Sequence, residues 1–353
     1  MSLDMETDCR HVARSDDKFT ARMRFHQSWY RRQILHRSPG PNPHAKGAIY
    51  GSHLTEKDGD AGRNFLTAKI YRVVQNRLGK NRGIVNVGDR RRLLMNLLSS
   101  QPMCFNLFAS LANDLALATR LMQALPGMPS NIKVINVQIE YAPQPKRHYL
   151  NDATAFDAFI EYERANSIRG LVGIETKLTE PFSQKSYEFK DGYSRWRSSS
   201  DWWWRGRAKH FFPDKRYNQL WRNHLLAFAM LHQKDAAYDE AFCAVLYPEE
   251  DTSCADAIQA YRQRLRPETR HTLLEWTLGD VIDTWQGLAT GRVQRKWLAD
   301  FRLRYLDLKK SEAAWDAYQR ETGARAMNRR LSAKLRSPRE SESVRTGGQP
   351  STG

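Results

Sequence analysis

Two short runs decide the fold: Ala155-Phe-Asp-Ala-Phe-Ile-Glu-Tyr162 and Gly170-Leu-Val-Gly-Ile-Glu-Thr-Lys177. Both are apolar, and they read as consecutive strands over residues 155–162 and 171–178. Residues 134–141, VINVQIEY, alternate and are β-branched, which adds a strand before them. A helix precedes all three. Over residues 99–125, Phe105, Phe108, Leu111, Leu115 and Leu121 recur at helical spacing. Ser99 or Ser100 serves as the cap, and Pro126-Gly127 ends the run. Downstream, residues 219–233 read as a helix, 242–247 as a short buried strand and 255–265 as an amphipathic helix. Residues 272–285 are ordered but of unassigned type. Helix, three strands, helix, strand is an α/β order with a mixed central sheet flanked by helices.

The same strands carry the candidate chemistry. Phosphodiester hydrolysis needs hard oxygen ligands for Mg²⁺ and a cation beside the attacked phosphate. The pattern [DE]-x-K supplies both and occurs at Asp16–Lys18, Glu175–Lys177, Glu188–Lys190 and Asp307–Lys309. Asp16 lies in a polar stretch, Asp307 in a charged helical run, and no buried strand precedes Glu188. Only Glu175 closes an apolar strand. Residues i and i+2 of a strand share a face, so Glu175 and Lys177 project together with Cα atoms about 6.5 Å apart. Asp157 interrupts the strand before, where a carboxylate is costly without a cation or donors. Carboxylates on adjacent strands can hold one Mg²⁺ while water completes its shell. Glu140, ending the first strand, is a candidate for a second ion. Asp114 could extend the site too, though it reads more simply as an exposed helix residue. A solvated cross-strand ion pair is the rival reading of Glu175–Lys177; Asp157 and the apolar, glycine-flanked surround weigh against it.

Charge points to a polyanionic partner. Lys and Arg total 56 against 39 Asp and Glu, a net charge of +17, although some of the excess sits in the C-terminal tail. Residues 187–221 interleave Tyr193, Trp196, Trp202, Trp203, Trp204, Phe211, Phe212 and Tyr217 with Arg195, Arg197, Arg205, Arg207, Lys209, Lys215 and Arg216. Cations pair with phosphates and exposed rings stack on bases, so this stretch is a candidate substrate-binding loop. About half of its rings are expected to pack beneath it instead. No GxxxxGK[ST] or GxGxxG occurs, which removes the main support for ATPase, kinase or dinucleotide chemistry. Cys9, Cys104, Cys243 and Cys254 form no CxxC pair, and Cys243 reads as a core residue. His224 and His232 stand two helical turns apart, too far for one ion, and read as structural. The polar start and the short apolar runs give a cytoplasmic, non-membrane reading.

Asp157, then Glu175-Thr-Lys177, then a helix beginning Gln219-Leu-Trp-Arg222, set in this order of elements, resembles the PD-(D/E)XK, restriction-endonuclease-like nuclease superfamily over about residues 97–247. The resemblance implies that Asp157 and Glu175 ligate Mg²⁺, with Mn²⁺ as a substitute, and that Lys177 positions or activates the attacking water. It further implies a polar contribution from Gln219, with Arg222 beside it. Phe156 stands where the motif's name has proline, a position that varies in the superfamily. The expected function is a Mg²⁺-dependent nuclease cleaving DNA, with RNA left open and the oligomeric state unassigned. The alternative is an inactive nucleic-acid-binding protein on the same fold; the presence of Asp157, Glu175 and Lys177 together argues for activity. Three regions are expected: a polar N-terminal extension with short helices packed on the core (1–96), the nuclease-like domain (97–310), and a helix end with a disordered basic tail (311–353).

Overall fold

Ser99 opens the helical layer as expected, its hydroxyl accepting from the Gln101 amide. The computed structural model describes residues 9–42, 47–79, 87–183, 192–193, 195–196, 201–203 and 215–336. They fall into two units, one within Asp4–Lys310 and one containing the segment from Ser311 onward.

The first unit begins with β1 (Cys9–Arg10), α1 (Lys18–Gln33), β2 (Pro39–Pro41), β3 (Ile49–Leu54), α2 (Glu56–Asp60), α3 (Ala68–Gly79) and α4 (Val87–Met95). Strand β3 lies between β1, parallel to it, and β2, antiparallel. Next come α5 (Ser100–Ala112) and α6 (Leu115–Gln123). The single helix expected over residues 99–125 is therefore two. Asp114 breaks it by capping α6, its carboxylate accepting from Leu117 N at 2.9 Å. An exposed cap on the helix surface, Asp114 takes no part in the candidate site. Gly127 then turns the chain toward the sheet at φ +82°, a conformation glycine adopts without strain.

The central sheet comprises β4 (Lys133–Tyr141), β5 (Phe156–Glu163), β6 (Arg169–Thr176), β7 (Glu240–Tyr247) and β8 (Leu273–Thr277), in that spatial order. Strands β4, β5 and β6 run antiparallel, while β7 and β8 are parallel to β6. A parallel pair needs a crossover, and α7 (Asn218–His232) supplies it between β6 and β7. Helix α8 (Thr252–Arg262) follows β7; α9 (Leu278–Leu288) and α10 (Arg292–Tyr305) follow β8. This is a mixed sheet flanked by helices, the restriction-endonuclease-like architecture.

Alternation along the strands builds two cores. Ala158, Ile160, Val172, Ile174, Ala244 and Leu246 face the layer of α3, α5, α6, α9 and α10. Phe159, Leu171, Cys243 and Val245 face α7 and α8. Each strand is apolar on both sides because helices cover both. Between β5 and β6 the fit is close: a Cβ on Gly173 would stand 2.2 Å from a ring carbon of the buried Phe156. Gly173→Ala is therefore expected to cost about 1–3 kcal/mol by overpacking, read as a lower urea midpoint at unchanged slope.

The second unit carries α11 (Glu312–Arg336). The helix at the start of residues 311–353 runs to Arg336, into the stretch read as a basic tail from Arg329 onward, and residues 337–353 lie outside the described residues. Its Ala, Arg, Lys, Glu and Leu content suits a helix, so the loss of aromatic residues after Tyr318 does not end it. Among the described residues no helix is long and apolar enough to cross a membrane.

Candidate active site

Register assembles the carboxylates. Ala158 pairs with Ile174, so Asp157 stands across from Glu175 at the next position of β5 and β6. Ile139 and Tyr141 pair with Ala158 and Phe156, so Glu140 falls opposite Asp157 from β4. Three carboxylates from three adjacent strands therefore meet at one level of the sheet. Glu140 occupies the left-handed region at φ 57°, a strained position for a residue with a side chain.

Asp157 Oδ2 accepts from the Thr176 amide at 2.8 Å and from its hydroxyl at 2.9 Å. These bonds fix the Asp157 side chain against the end of β6. Burial, then the carboxylates of Glu175 and Glu140, push Asp157 well above the usual carboxylate range. Burial pushes Glu140 up as well, against the pull of the Gln101 amide and the Arg92 and Arg77 charges. Gln101, on the first turn of α5, donates to Glu140 Oε1 at 2.8 Å. Its own Oε1 is buried without a hydrogen-bond partner among the described residues.

Glu175 and Lys177 are nearly buried, at 3% and 5% exposure. Lys177 Nζ lies 2.8 Å from Glu175 Oε1 and donates to Gln219 Oε1 at 3.0 Å. Gln219 Nε2 donates to Glu175 Oε1 at 2.6 Å, and Asn223 Nδ2 to Glu175 Oε2 at 2.6 Å. The Gln219 oxygen also accepts from the Ser183 amide at 2.7 Å, which fixes its orientation. Burial would lower the Lys177 pKa, but the adjacent Glu175, with Asp157 and Glu180, overrides it and raises it above the ordinary value. Lys177 stays charged at neutral pH.

The profile of the PD-(D/E)XK nuclease superfamily matches residues 14–307. The chain belongs to this superfamily. Comparison with curated proteins returned no match, and comparison with solved structures returned none. Membership in the PD-(D/E)XK superfamily implies nuclease chemistry on a nucleic acid, in which divalent metal ions generally take part.

The residues present fit such an ion. Their donors are hard oxygens, and burial, with neighbouring carboxylate charge adding to it, raises Asp157 and Glu140, a cost a cation relieves. Among the described residues, no three His, Cys, Asp or Glu side chains gather to hold an ion by themselves.

Other expectations divide. Asp157, Glu175, Lys177 and Gln219 come together, with Glu140 beside them. Asn223 was not anticipated; it stands four residues after Gln219, the spacing that puts both on one face of α7. Arg222, expected to contact nucleic acid, is engaged within the protein. It is buried, with Nε donating to Asn218 at 3.0 Å, one terminal nitrogen donating to Thr154 at 3.1 Å, and Asp152 at 3.8 Å. Of the proposed nucleic-acid-binding cations, Arg195 is exposed and stacks on Trp196 at 4.6 Å. Arg197, Arg205, Arg207 and Lys209 lie outside the described residues, as do Trp204, Phe211 and Phe212. The described rings of that stretch, Tyr193, Trp196, Trp202, Trp203 and Tyr217, are buried in the core against α7, so they form packing rather than a stacking surface for bases.

Rival [DE]-x-K sites separate as well. Asp16 pairs with Arg24 at 2.7 Å and Asp307 lies 3.8 Å from Arg302, while Glu188 lies outside the described residues. His224 is fully buried and Cys243 is in the core, as expected.

Proposed function

We propose that this nuclease cleaves DNA phosphodiester bonds with Mg²⁺, using Asp157 and Glu175 to hold the ion and Lys177 to order the reacting groups. What carries the reading is one arrangement: Glu175 bound at once to Lys177, Gln219 and Asn223, one strand away from a cation-seeking Asp157. A Mg²⁺ held there supplies positive charge against the negative charge gathering on the attacked phosphate. Lys177, kept charged by Glu175, orients the attacking water and offsets the same charge rather than taking a proton. Gln219 and Asn223 are positioning residues that hold Glu175 in one rotamer. Glu140, with Gln101 behind it, is the proposed additional oxygen donor. The net charge of +17 favours a polyanion, and DNA is the reading adopted; RNA is the competing outcome of the test.

Metal withdrawal tests this. Purified protein with Mg²⁺ is expected to cut DNA, to lose all cutting in excess EDTA, and to recover it with Mg²⁺ or Mn²⁺. Linear and circular DNA, single- and double-stranded, with matched RNA, fix the substrate and the endo- or exonucleolytic mode. Cleavage that persists in EDTA would remove the metal from the mechanism.

A further inference from the structure

A cavity of about 570 Å³ opens beside the carboxylate site, room enough for a small flat ligand and far more than one ion needs. Its lining comes from the start of α1, from α8 and from the segment that follows β6. Two contacts tie that segment to the site. Phe182 lines the cavity, and Lys177 Nζ stands 5.0 Å from the centroid of its ring. The next residue, Ser183, donates its amide to Gln219 Oε1 at 2.7 Å. Cavity and carboxylate site therefore share one stretch of chain, just beyond Lys177.

The lining does not suit a phosphate. Helix N-termini bind anions through their first amides, but carboxylates already take those amides here. Asp17 Oδ1 accepts from Thr20 N at 2.7 Å, and Asp251 Oδ1 from Cys254 N at 3.0 Å. Glu180 and Asp256 add two further carboxylates, against Arg216 as the one basic residue of the lining among the described residues. Asp251 is 9% exposed, and backbone amides rather than a cation hold its carboxylate. Such acceptors call for a ligand with N–H donors. Pro181, Phe182, Ala257 and Ala260 add the apolar surface that a flat ring needs. A nucleobase with an exocyclic amine offers both, a flat face and donors on its edge, and carboxylates accept from such amines. Thymine and uracil instead turn two carbonyl oxygens to that edge, where carboxylates repel them.

We propose that this cavity receives one unstacked base of the substrate, next to the phosphate under attack, and selects adenine, cytosine or guanine over thymine or uracil. The proposal rests on the reading of Asp157, Glu175 and Lys177 as the place of cleavage. A base within a duplex must unpair to enter, so single strands are the simplest probes.

Oligo-deoxycytidine and oligo-thymidine of equal length carry the same phosphates, so the electrostatic part of binding cancels between them. Fluorescence anisotropy in EDTA, where nothing is cut, is expected to show oligo-deoxycytidine bound about 10-fold tighter, the scale of one good edge contact. Ala257→Trp fills the cavity and should bring the two affinities together by weakening oligo-deoxycytidine alone. Asp251→Asn keeps the helix cap, since asparagine caps as well as aspartate, but offers the base a donor in place of an acceptor. It should shrink the preference about as far while leaving Mn²⁺ uptake, read by calorimetry, at the wild-type level. With Mg²⁺, cuts in a mixed-sequence single strand should avoid thymine at one fixed position from the scissile bond. Equal affinities in wild type, or a preference intact in both variants, would overturn the proposal. So would an Mn²⁺ site lost in Asp251→Asn, which would assign the cavity to an ion. Wild type that binds DNA but cuts nothing with any divalent ion would instead overturn the cleavage reading, and the EDTA arm would still decide the cavity.

Discussion

Glu175→Gln is expected to slow DNA cleavage at least about 10²–10³-fold, the scale of one lost preorganised electrostatic group. It is also expected to destabilise the protein. The substitution keeps the side-chain shape but removes the charge that Lys177 faces at 2.8 Å. It also points a donor group at one of the two amides, Gln219 or Asn223, that now donate to the carboxylate. Breaking a buried pair by neutralising one member costs about 3–5 kcal/mol. Lost activity could then be ascribed to lost folding, so a second variant is needed. Glu175→Gln with Lys177→Met removes both charges, and a neutral replacement of a buried pair is often close to neutral in stability. The double variant should therefore recover most of the thermal stability and none of the cleavage. Lys177→Ala alone should lose activity on the same scale while metal uptake, read by Mn²⁺ calorimetry, persists. Wild-type cleavage in Glu175→Gln, or cleavage returning with stability in the double variant, would place the chemistry elsewhere.

The part of this site that was legible in the sequence is the part that local geometry specifies. A carboxylate and an amine two apart on a strand share a face whatever the tertiary structure, and Asp157 is conspicuous because Ala155, Phe156, Ala158, Phe159 and Ile160 beside it are apolar. Gln219 entered through resemblance, since a glutamine opening a helix carries no signal of its own. Asn223 is one turn further along the same face, so the i, i+4 rule could have found it. Arg222 misled because a cation near a candidate site reads as a phosphate ligand; its burial depends on Asp152 and Thr154, far away in sequence. The same limit applies to Trp196, Trp202 and Trp203: arginine next to tryptophan has one composition whether the ring stacks on a base or packs on Phe228. In the fold, the strands over residues 134–178 were clear because period and β-branching agree. The break between α5 and α6 was not, because Leu111 and Leu115 keep helical spacing across it. Strand β8 has five residues and runs directly into α9, too short for alternation to declare itself. Strands β1 and β2 are shorter still, and their pairing to β3 is set by contacts rather than by pattern.

His224, passed over as a metal ligand, is expected to make the fold acid-labile. It is fully buried, and its hydrogen bonds fix one tautomer. Thr272 Oγ1 donates to the Thr269 carbonyl at 2.6 Å, so it accepts from His224 Nε2 at 2.9 Å. The Tyr261 hydroxyl accepts from Trp203 Nε1 at 2.9 Å and so has its own proton for His224 Nδ1 at 3.0 Å. The neutral ring completes this chain. A protonated ring would present a second donor to a hydroxyl already donating, in a site without a carboxylate. Burial, with a smaller contribution from Arg262, lowers its pKa to about 3. The unfolded chain binds this proton near pH 6.5 and the folded chain does not. The stabilisation is therefore complete above pH 6.5 and is lost progressively as pH falls toward the folded value, at about 1.4 kcal/mol per pH unit. His26, held at about 4 by burial, acts in the same direction. His224→Gln can keep one acceptor and one donor while removing the titration. It should lower stability at neutral pH by about 1–3 kcal/mol, since the chain is less well satisfied. Its urea midpoint should then fall less steeply than that of wild type as the pH is lowered, the residual slope coming from His26. Parallel curves for the two proteins would show that His224 is protonated within the fold, and the relay from Trp203 to Thr269 would have to be redrawn.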